Sequence, residues 1–301
     1  MNQQISSVLP KLIAFYLPQF HPIAENDLWW GKGFTEWINV AKARPQFRGH
    51  YQPHLPADLG FYDLRVPEVR SAQAELASQY GIHGFCYYHY WFHGKRLLER
   101  PFNEVLNSGA PNYPFCLCWA NETWTRAWAN QTKDMLIEQK YSTEDTLAHI
   151  RWLVQAFADQ RYIRIENKPV FLIYRPRHLP NPQQMLDLWR SEAVRLGIGE
   201  IFLCAVESND RKIHEDPSAL GFDAAVEFQP NSFNLPPASQ LSKLWRHATG
   251  KIIHSNSNLV IDYAHFVDFI MNQPKSNYRK FHCVTPSWDN SARRKQFALI
   301  L

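Results

Sequence analysis

Seven short apolar runs, separated by helical patterns and each followed by a cluster of polar and aromatic residues, predict an α/β fold built on a parallel sheet. The nearest closed architecture is a TIM-like (β/α)8 barrel, with about seven of its strands in this chain. The runs are LIAFYLPQF (12–20), HGFCYYHYWF (83–92), FCLCWA (115–120), PVFLIYRP (169–176), IFLCAV (201–206), DAAVEFQP (223–230) and FHCVTPSW (281–288). β-Branched and aromatic residues are common in them, and their apolarity is nearly continuous. That pattern suits strands buried on both faces, as in a sheet flanked by helices.

Four helices follow from spacing and caps. Val69, Ala72, Leu76 and Tyr80 recur at helical spacing over 67–80, and Gly81 stops the pattern. Ser142, with Asp145 three residues on, is an N-cap for a helix through Phe157. Asn181-Pro182 is a cap with proline in the first turn, and Gly197 closes that helix. The stretch 262–272 is a fourth helix. Segment 21–62 is a long insertion after the first strand, with Pro, Gly and Trp throughout, and is expected to be a functional loop. A second irregular stretch, 231–258, is polar and expected to be mobile.

The 301 residues read as a single domain, 1–301. Charged residues make up 20% and the net charge is +4, too weak to imply a nucleic-acid partner. Aromatics reach 14%, with eleven Trp, so some rings are expected at a cleft and at least half in the core. The five cysteines form no CxxC pair and lie mostly in apolar runs, which predicts reduced thiols and a cytoplasmic location. No run approaches the length of a membrane span, and the N-terminus is a poor signal peptide. A GxGxxG loop, a phosphate loop and a GxSxG elbow are all absent, so no cofactor is expected. HYQPH (50–54) and HYWFH (89–93) each carry two His four apart but no third ligand at diagnostic spacing, so no metal is expected.

In a βα barrel the working site forms at the C-terminal ends of the strands. Here those ends hold Tyr16, Gln19 and His21; Tyr88, His89, Tyr90 and Trp91; Trp119, Asn121, Glu122, Trp124 and Arg126; Tyr174 and Arg175; Glu207 and Asn209; Glu227 and Gln229; Trp288, Asp289 and Asn290. Trp30, Glu36 and Trp37 join them from the insertion. Trp and Tyr offer sugars a stacking platform, while Asn, Asp, Glu, His and Arg hydrogen-bond hydroxyls. The expected site is a saccharide cleft, with Trp119 and Trp124 as stacking faces beside Glu122. Paired carboxylates do glycosidic-bond chemistry, and Glu36, Glu122, Glu207, Glu227 and Asp289 are candidates. The plain alternatives are an ion pair with Arg126 or a turn cap for Glu122, and a loop ion pair for Glu36. The SARRK cluster at 291–295 reads as a solvated face, with contact to a phosphate as the alternative in a biosynthetic enzyme.

FYLPQFHPIAENDLWWGKGFTEWINV, GFCYYHYWFHGKRLLERPFNEVL, FCLCWANETWTRAW and PSWDNSARR together resemble the WbsX-type family of polysaccharide-biosynthesis proteins, also described as glycoside hydrolase family 99-like. The likeness runs from about Leu12 to Arg294. It implies a (β/α)8 barrel acting on mannose-like glycans in surface polysaccharide (O-antigen or capsule) metabolism, as a hydrolase or glycosyltransferase. The implied substrate is a glycan or lipid-linked saccharide. The related hydrolases retain configuration through the sugar's own 2-hydroxyl, with one acid assisting it and another protonating the leaving group. In the family that acid pair lies in a W/F-N-E-W-x-E-G motif at the end of the last barrel strand, and no such motif occurs here. The resemblance therefore assigns no catalytic residue. It implies that the eighth βα unit is missing and that the domain is incomplete at its C-terminus. Two functions stay open, a carbohydrate-active enzyme and a non-catalytic glycan-binding remnant. Binding of single-stranded nucleic acid by stacked aromatics needs a basic groove that a charge of +4 does not supply.

Overall fold

The computed structural model describes residues 10–126, 134–208, 215–236, 258–294 and 297–301. Its centre is a parallel sheet of seven strands: β1 (Leu12–Tyr16), β2 (Ile82–Phe92), β3 (Phe115–Trp119), β4 (Lys168–Ile173), β5 (Phe202–Glu207), β6 (Ala224–Glu227) and β7 (Lys280–Phe281). They are hydrogen-bonded in that order. Six fall on the apolar runs, and β7 meets the seventh run only at Phe281. The sheet curves as a half-barrel whose end strands, β1 and β7, do not pair with each other among the described residues. The expected α/β, TIM-like architecture with seven strands is what forms.

Among the described residues the helices are α1 (Ala24–Trp30), α2 (Glu36–Lys42), α3 (Pro67–Gln79), α4 (Arg100–Ser108), α5 (Thr143–Phe157), α6 (Pro182–Arg195) and α7 (Tyr263–Met271). α3, α5, α6 and α7 match the four expected helices. Their caps do the expected work: Ser142 Oγ accepts the Asp145 N–H at 3.1 Å, Asn181 Oδ1 that of Gln184 at 3.4 Å, and Asp262 Oδ1 that of His265 at 3.0 Å. Segment 21–62 differs from a plain loop, because α1 and α2 form inside it. α4 also lies outside the expected set. Its buried face is only Pro101, Phe102 and Val105, too short a stripe to read as a period, and Gly109 ends it in the left-handed conformation. Most of 231–258 and the residues Trp128 and Asn209 lie outside the described residues.

Alternation along the strands decides which side chains meet the helices. Tyr87 packs on Phe102, His89 on Trp152 and Trp91 on His149. Phe115 meets Phe102, while Trp119 and Phe171 meet Trp189. The intervening residues, including Phe15, Cys86, Tyr88, Tyr90, Cys116, Leu172 and Tyr174, line the concave interior. Gly84 lets β2 pass close to the start of β3, since a Cβ there would stand 2.6 Å from the Pro114 carbonyl oxygen. The five cysteines are all free thiols, four of them buried.

Among the described residues, His21, His89 and His149 are buried outside the concave face. His89 and His149 meet Nε2 to Nε2 at 3.0 Å, so one ring donates and the other accepts. Burial pulls His89 down to about 3, His149 well below the usual value of 6.5, and His21 down to about 4. The unfolded chain protonates such rings near 6.5, whereas folded His21 waits until about 4. The unfolded state thus binds more protons between those values, and stability falls as pH drops through that window. We expect one ring to contribute a slope of about 1.4 kcal/mol per pH unit there. His21→Gln should remove one ring's share, as read by urea unfolding between pH 4.5 and 7. Parallel stability profiles for variant and parent would contradict this.

Candidate functional site

The concave face opens into a cavity of about 1770 Å³ that reaches from the start of the strands to their C-terminal ends. Gln19, Trp30, Glu36, Tyr88, Tyr90, Glu122, Trp124, Trp288, Asp289 and Asn290 all line it. Its floor is a ring of four aromatics from four strands or their ends. Phe15 stacks on Tyr88 at 5.7 Å, Tyr88 meets Tyr174 edge-on at 5.8 Å, and Phe228 meets Tyr174 at 5.3 Å and Phe15 at 5.7 Å. Burial raises the hydroxyls of Tyr88 and Tyr174 far above the usual phenol range, so both remain neutral hydrogen-bonding groups.

Two carboxylate–guanidinium pairs stand on the walls. Arg293 grips Glu36 through both nitrogens of its fork, with Nε 2.8 Å from Oε2. It also donates to Gln19 Oε1 at 2.6 Å, and Gln19 Nε2 donates to the Tyr90 hydroxyl at 3.1 Å. Asn39 on α2 donates to Glu36 Oε2 at 3.2 Å. On the other wall Arg175 Nε donates to Glu122 Oε1 at 2.6 Å, and its guanidinium also reaches the Ser208 carbonyl. The alternative of an Arg126 partner for Glu122 does not form; the Arg126 guanidinium lies over Trp30 instead, 5.8 Å from the ring centre. The SARRK cluster is not simply solvated, because Arg293 bridges to Glu36.

Asp289 ties the segment after β7 to the insertion after β1. Its Oδ2 accepts from His50 Nε2 at 2.8 Å and Gln52 Nε2 at 2.5 Å, and its Oδ1 from the Ser291 N–H at 2.8 Å. Burial pushes this carboxyl up, but those hydrogen bonds outweigh it and hold the group below the usual range. His50 Nδ1 accepts the Gln46 N–H at 3.0 Å, so Nε2 carries the proton it gives Asp289. A metal on Nε2 would need that proton on Nδ1, where it would face another N–H. Among the described residues no group of three His, Cys, Asp or Glu is placed to hold a metal ion.

Gln229 also lines the cavity, whereas the other expected residues not yet placed do not. Trp119 has no exposed surface and lies against the helix layer, with its Nε1 on the Trp91 carbonyl at 3.2 Å, so it offers no stacking face. His89 and Trp91 share that layer, Trp91 Nε1 donating to Asp145 at 2.9 Å. Tyr16 turns outward to Gln73 at 2.6 Å, and Trp37 to the Tyr62 carbonyl at 2.8 Å. His21 is buried away from the cavity. Asn121 is fully buried and shapes the site from behind: its Oδ1 accepts the Arg175 N–H at 2.8 Å and its Nδ2 donates to the Arg175 carbonyl at 2.9 Å. Glu227 joins strand ends, accepting the Cys283 N–H at 3.2 Å. Glu207 is likewise engaged, by Tyr278 at 2.6 Å and Lys280 at 3.1 Å. Arg293, Asn39 and Phe228 lie outside the expected set. Phe228 continues the inward alternation of Val226, a signal present in the sequence. Arg293 carries no such local signal, since its partner is 257 positions away.

Comparison with known proteins bears on the family and the fold. A family model described as Glycosyltransferase WbsX matches residues 12–301. The chain belongs to the WbsX family. Two curated proteins named Uncharacterized protein WxcX, from two strains of Xanthomonas campestris pv. campestris, are each 46% identical to it over 283 residues. The match covers 94% of this WbsX chain and 39% of each relative, so the chain spans about two fifths of their length. Among solved structures, a GH99 endo-alpha-mannosidase from Bacteroides thetaiotaomicron superposes with TM-score 0.52 and 13% identity, over 94% of this chain and 73% of that one. A glycoside hydrolase-like protein superposes with TM-score 0.50 and 12% identity, over 98% and 79%. At these identities the shared property is the fold. No helix among the described residues is long and apolar enough to cross a membrane.

Proposed function

We propose that the cavity mouth is the saccharide-binding cleft of a protein of surface-polysaccharide metabolism, acting on glycosidic bonds of mannose-like glycans, free or lipid-linked. One observation carries this reading. Trp30, Tyr88, Tyr90 and Trp124 share a cavity with two fixed carboxylate–guanidinium pairs, Glu36–Arg293 and Glu122–Arg175. The rings supply apolar platforms for sugar C–H faces. The ion pairs hold acceptors and donors side by side, as recognition of neighbouring hydroxyls requires. The Trp288 indole N–H also borders the cavity and has no protein partner among the described residues, leaving a buried donor for a ligand oxygen.

The ion pairing also favours a second reading, glycan binding without turnover. Glu36 and Glu122 each commit oxygen atoms to an arginine, which suits binding better than proton delivery to a leaving group. Calorimetric titration and product analysis with α-mannosides and the source organism's own polysaccharide separate the two. Turnover by this chain sinks the binding-only reading. In either case Trp124→Ala and Glu122→Gln should each weaken glycan binding by about tenfold, the worth of roughly 1.4 kcal/mol. Unchanged affinity in both variants would remove this wall from the site.

A further inference from the structure

We propose that the saccharide in the cleft carries an anionic substituent, a carboxylate or a phosphate ester, and that Arg126 on the rim receives it. This rests on the saccharide reading above and names the charge class of its ligand. The charges around the mouth carry the argument. Glu36 is neutralised by Arg293 and Glu122 by Arg175. Asp289 keeps its charge, but its oxygens are taken by His50, Gln52 and the Ser291 N–H. On α1, Glu25 pairs with Lys95 at 2.6 Å and Asp27 accepts the Gly33 N–H at 2.8 Å. Each of these acids thus has its donors within the protein.

Two cations there lack the converse. Arg126 forms no ion pair among the described residues, and the stretch 127–133 after it holds no Asp or Glu. Lys32, exposed and two residues past Trp30, likewise pairs with no acid among them. Arg126 is also fixed in place. A short antiparallel hairpin pairs Trp124–Thr125 with Met135–Ile137, and the Arg126 N–H donates to the Asp134 carbonyl at 3.0 Å. Thr125 and Trp30 line the cavity, and the guanidinium stands 5.8 Å from the Trp30 ring centre. An arginine over an indole keeps its planar N–H fork for a second partner. That fork matches two oxygens of a carboxylate or phosphate, the geometry of strong charge-assisted hydrogen bonds. A sugar ring packed beside Trp30 therefore brings its substituent to Arg126. With a net charge of only +4, such a preference is local to the rim and not a property of the whole surface.

The test titrates the full chain, by calorimetry at low salt, with methyl α-mannoside, methyl α-mannosiduronate and methyl α-mannoside 6-phosphate. At least one charged probe should bind about tenfold more tightly than the neutral one, and the probe that gains identifies the substituent. Salt at about 1 M, where the screening length is about 3 Å, should remove most of the gain. Arg126→Gln should bring the affinities together, and Arg126→Lys, which keeps the charge without the fork, should retain part of the difference. Lys275→Gln removes an exposed cation before β7, at the opposite end of the sheet, and should retain all of it. The proposal is overturned, with the saccharide reading intact, if methyl α-mannoside binds and neither charged probe binds more tightly. It is overturned too if Arg126→Gln keeps the gain, or if Lys275→Gln loses as much of it as Arg126→Gln does. Failure of all three probes to bind overturns the saccharide reading along with it.

Discussion

Trp119→Ala should destabilise the protein by about 3–5 kcal/mol. The ring is fully buried between β3 and the helices, 4.7 Å from His149 and 5.8 Å from Trp189, centre to centre. Its Nε1 donates to the Trp91 carbonyl, so truncation leaves both a void and a buried acceptor without that donor. Total stabilities of single domains are only about 5–15 kcal/mol, so the loss consumes a large share of the whole. Trp124, five residues on and lining the cavity, should behave oppositely. Its truncation weakens glycan binding and costs less in stability. Urea unfolding of both variants, with affinity measured where each is still folded, checks the contrast. A Trp119→Ala cost below about 1 kcal/mol would place the ring at a surface, contrary to its packing.

That contrast shows what the sequence holds and what it hides. The seven strands were legible because buried parallel strands are nearly continuous in apolarity, and α3, α5, α6 and α7 because their stops or caps are written locally. The clustering of polar and aromatic residues past the strands is likewise read directly from the sequence. The division within those clusters was partly legible. In YYHYW, a two-residue period separates Tyr88 and Tyr90 from His89 and Trp91, yet a run apolar on both faces does not say which set faces inward. The sign comes only from packing, where Trp152 and His149 claim His89 and Trp91. The partners of the cleft carboxylates were not legible. Glu122 pairs across strands with Arg175 rather than locally with Arg126, and Glu36 meets Arg293 only because the half-barrel brings the two ends of the chain together.

Asn121→Ala is expected to cost about 2–4 kcal/mol and also to weaken glycan binding. The last backbone rung between β3 and β4 is the Tyr174 N–H on the Trp119 carbonyl at 2.9 Å. Beyond it the Asn121 side chain acts as a substitute peptide, taking the N–H of Arg175 and giving to its carbonyl. It also donates to the Tyr141 hydroxyl at 3.2 Å. Removing it leaves buried backbone groups unpaired and releases the residue whose guanidinium holds Glu122. Stability and cleft geometry therefore fail together, unlike at Trp119, whose ring lies in the helix layer away from the cleft. Asn121→Asp sharpens the test. It keeps the shape and the acceptor, loses the amide donors and puts a charge in a fully buried place, so it should be at least as damaging as alanine. Urea unfolding paired with calorimetry reads both effects. If Asn121→Ala leaves stability and affinity unchanged, Arg175 is held by other means and Glu122 does not owe its position to this amide.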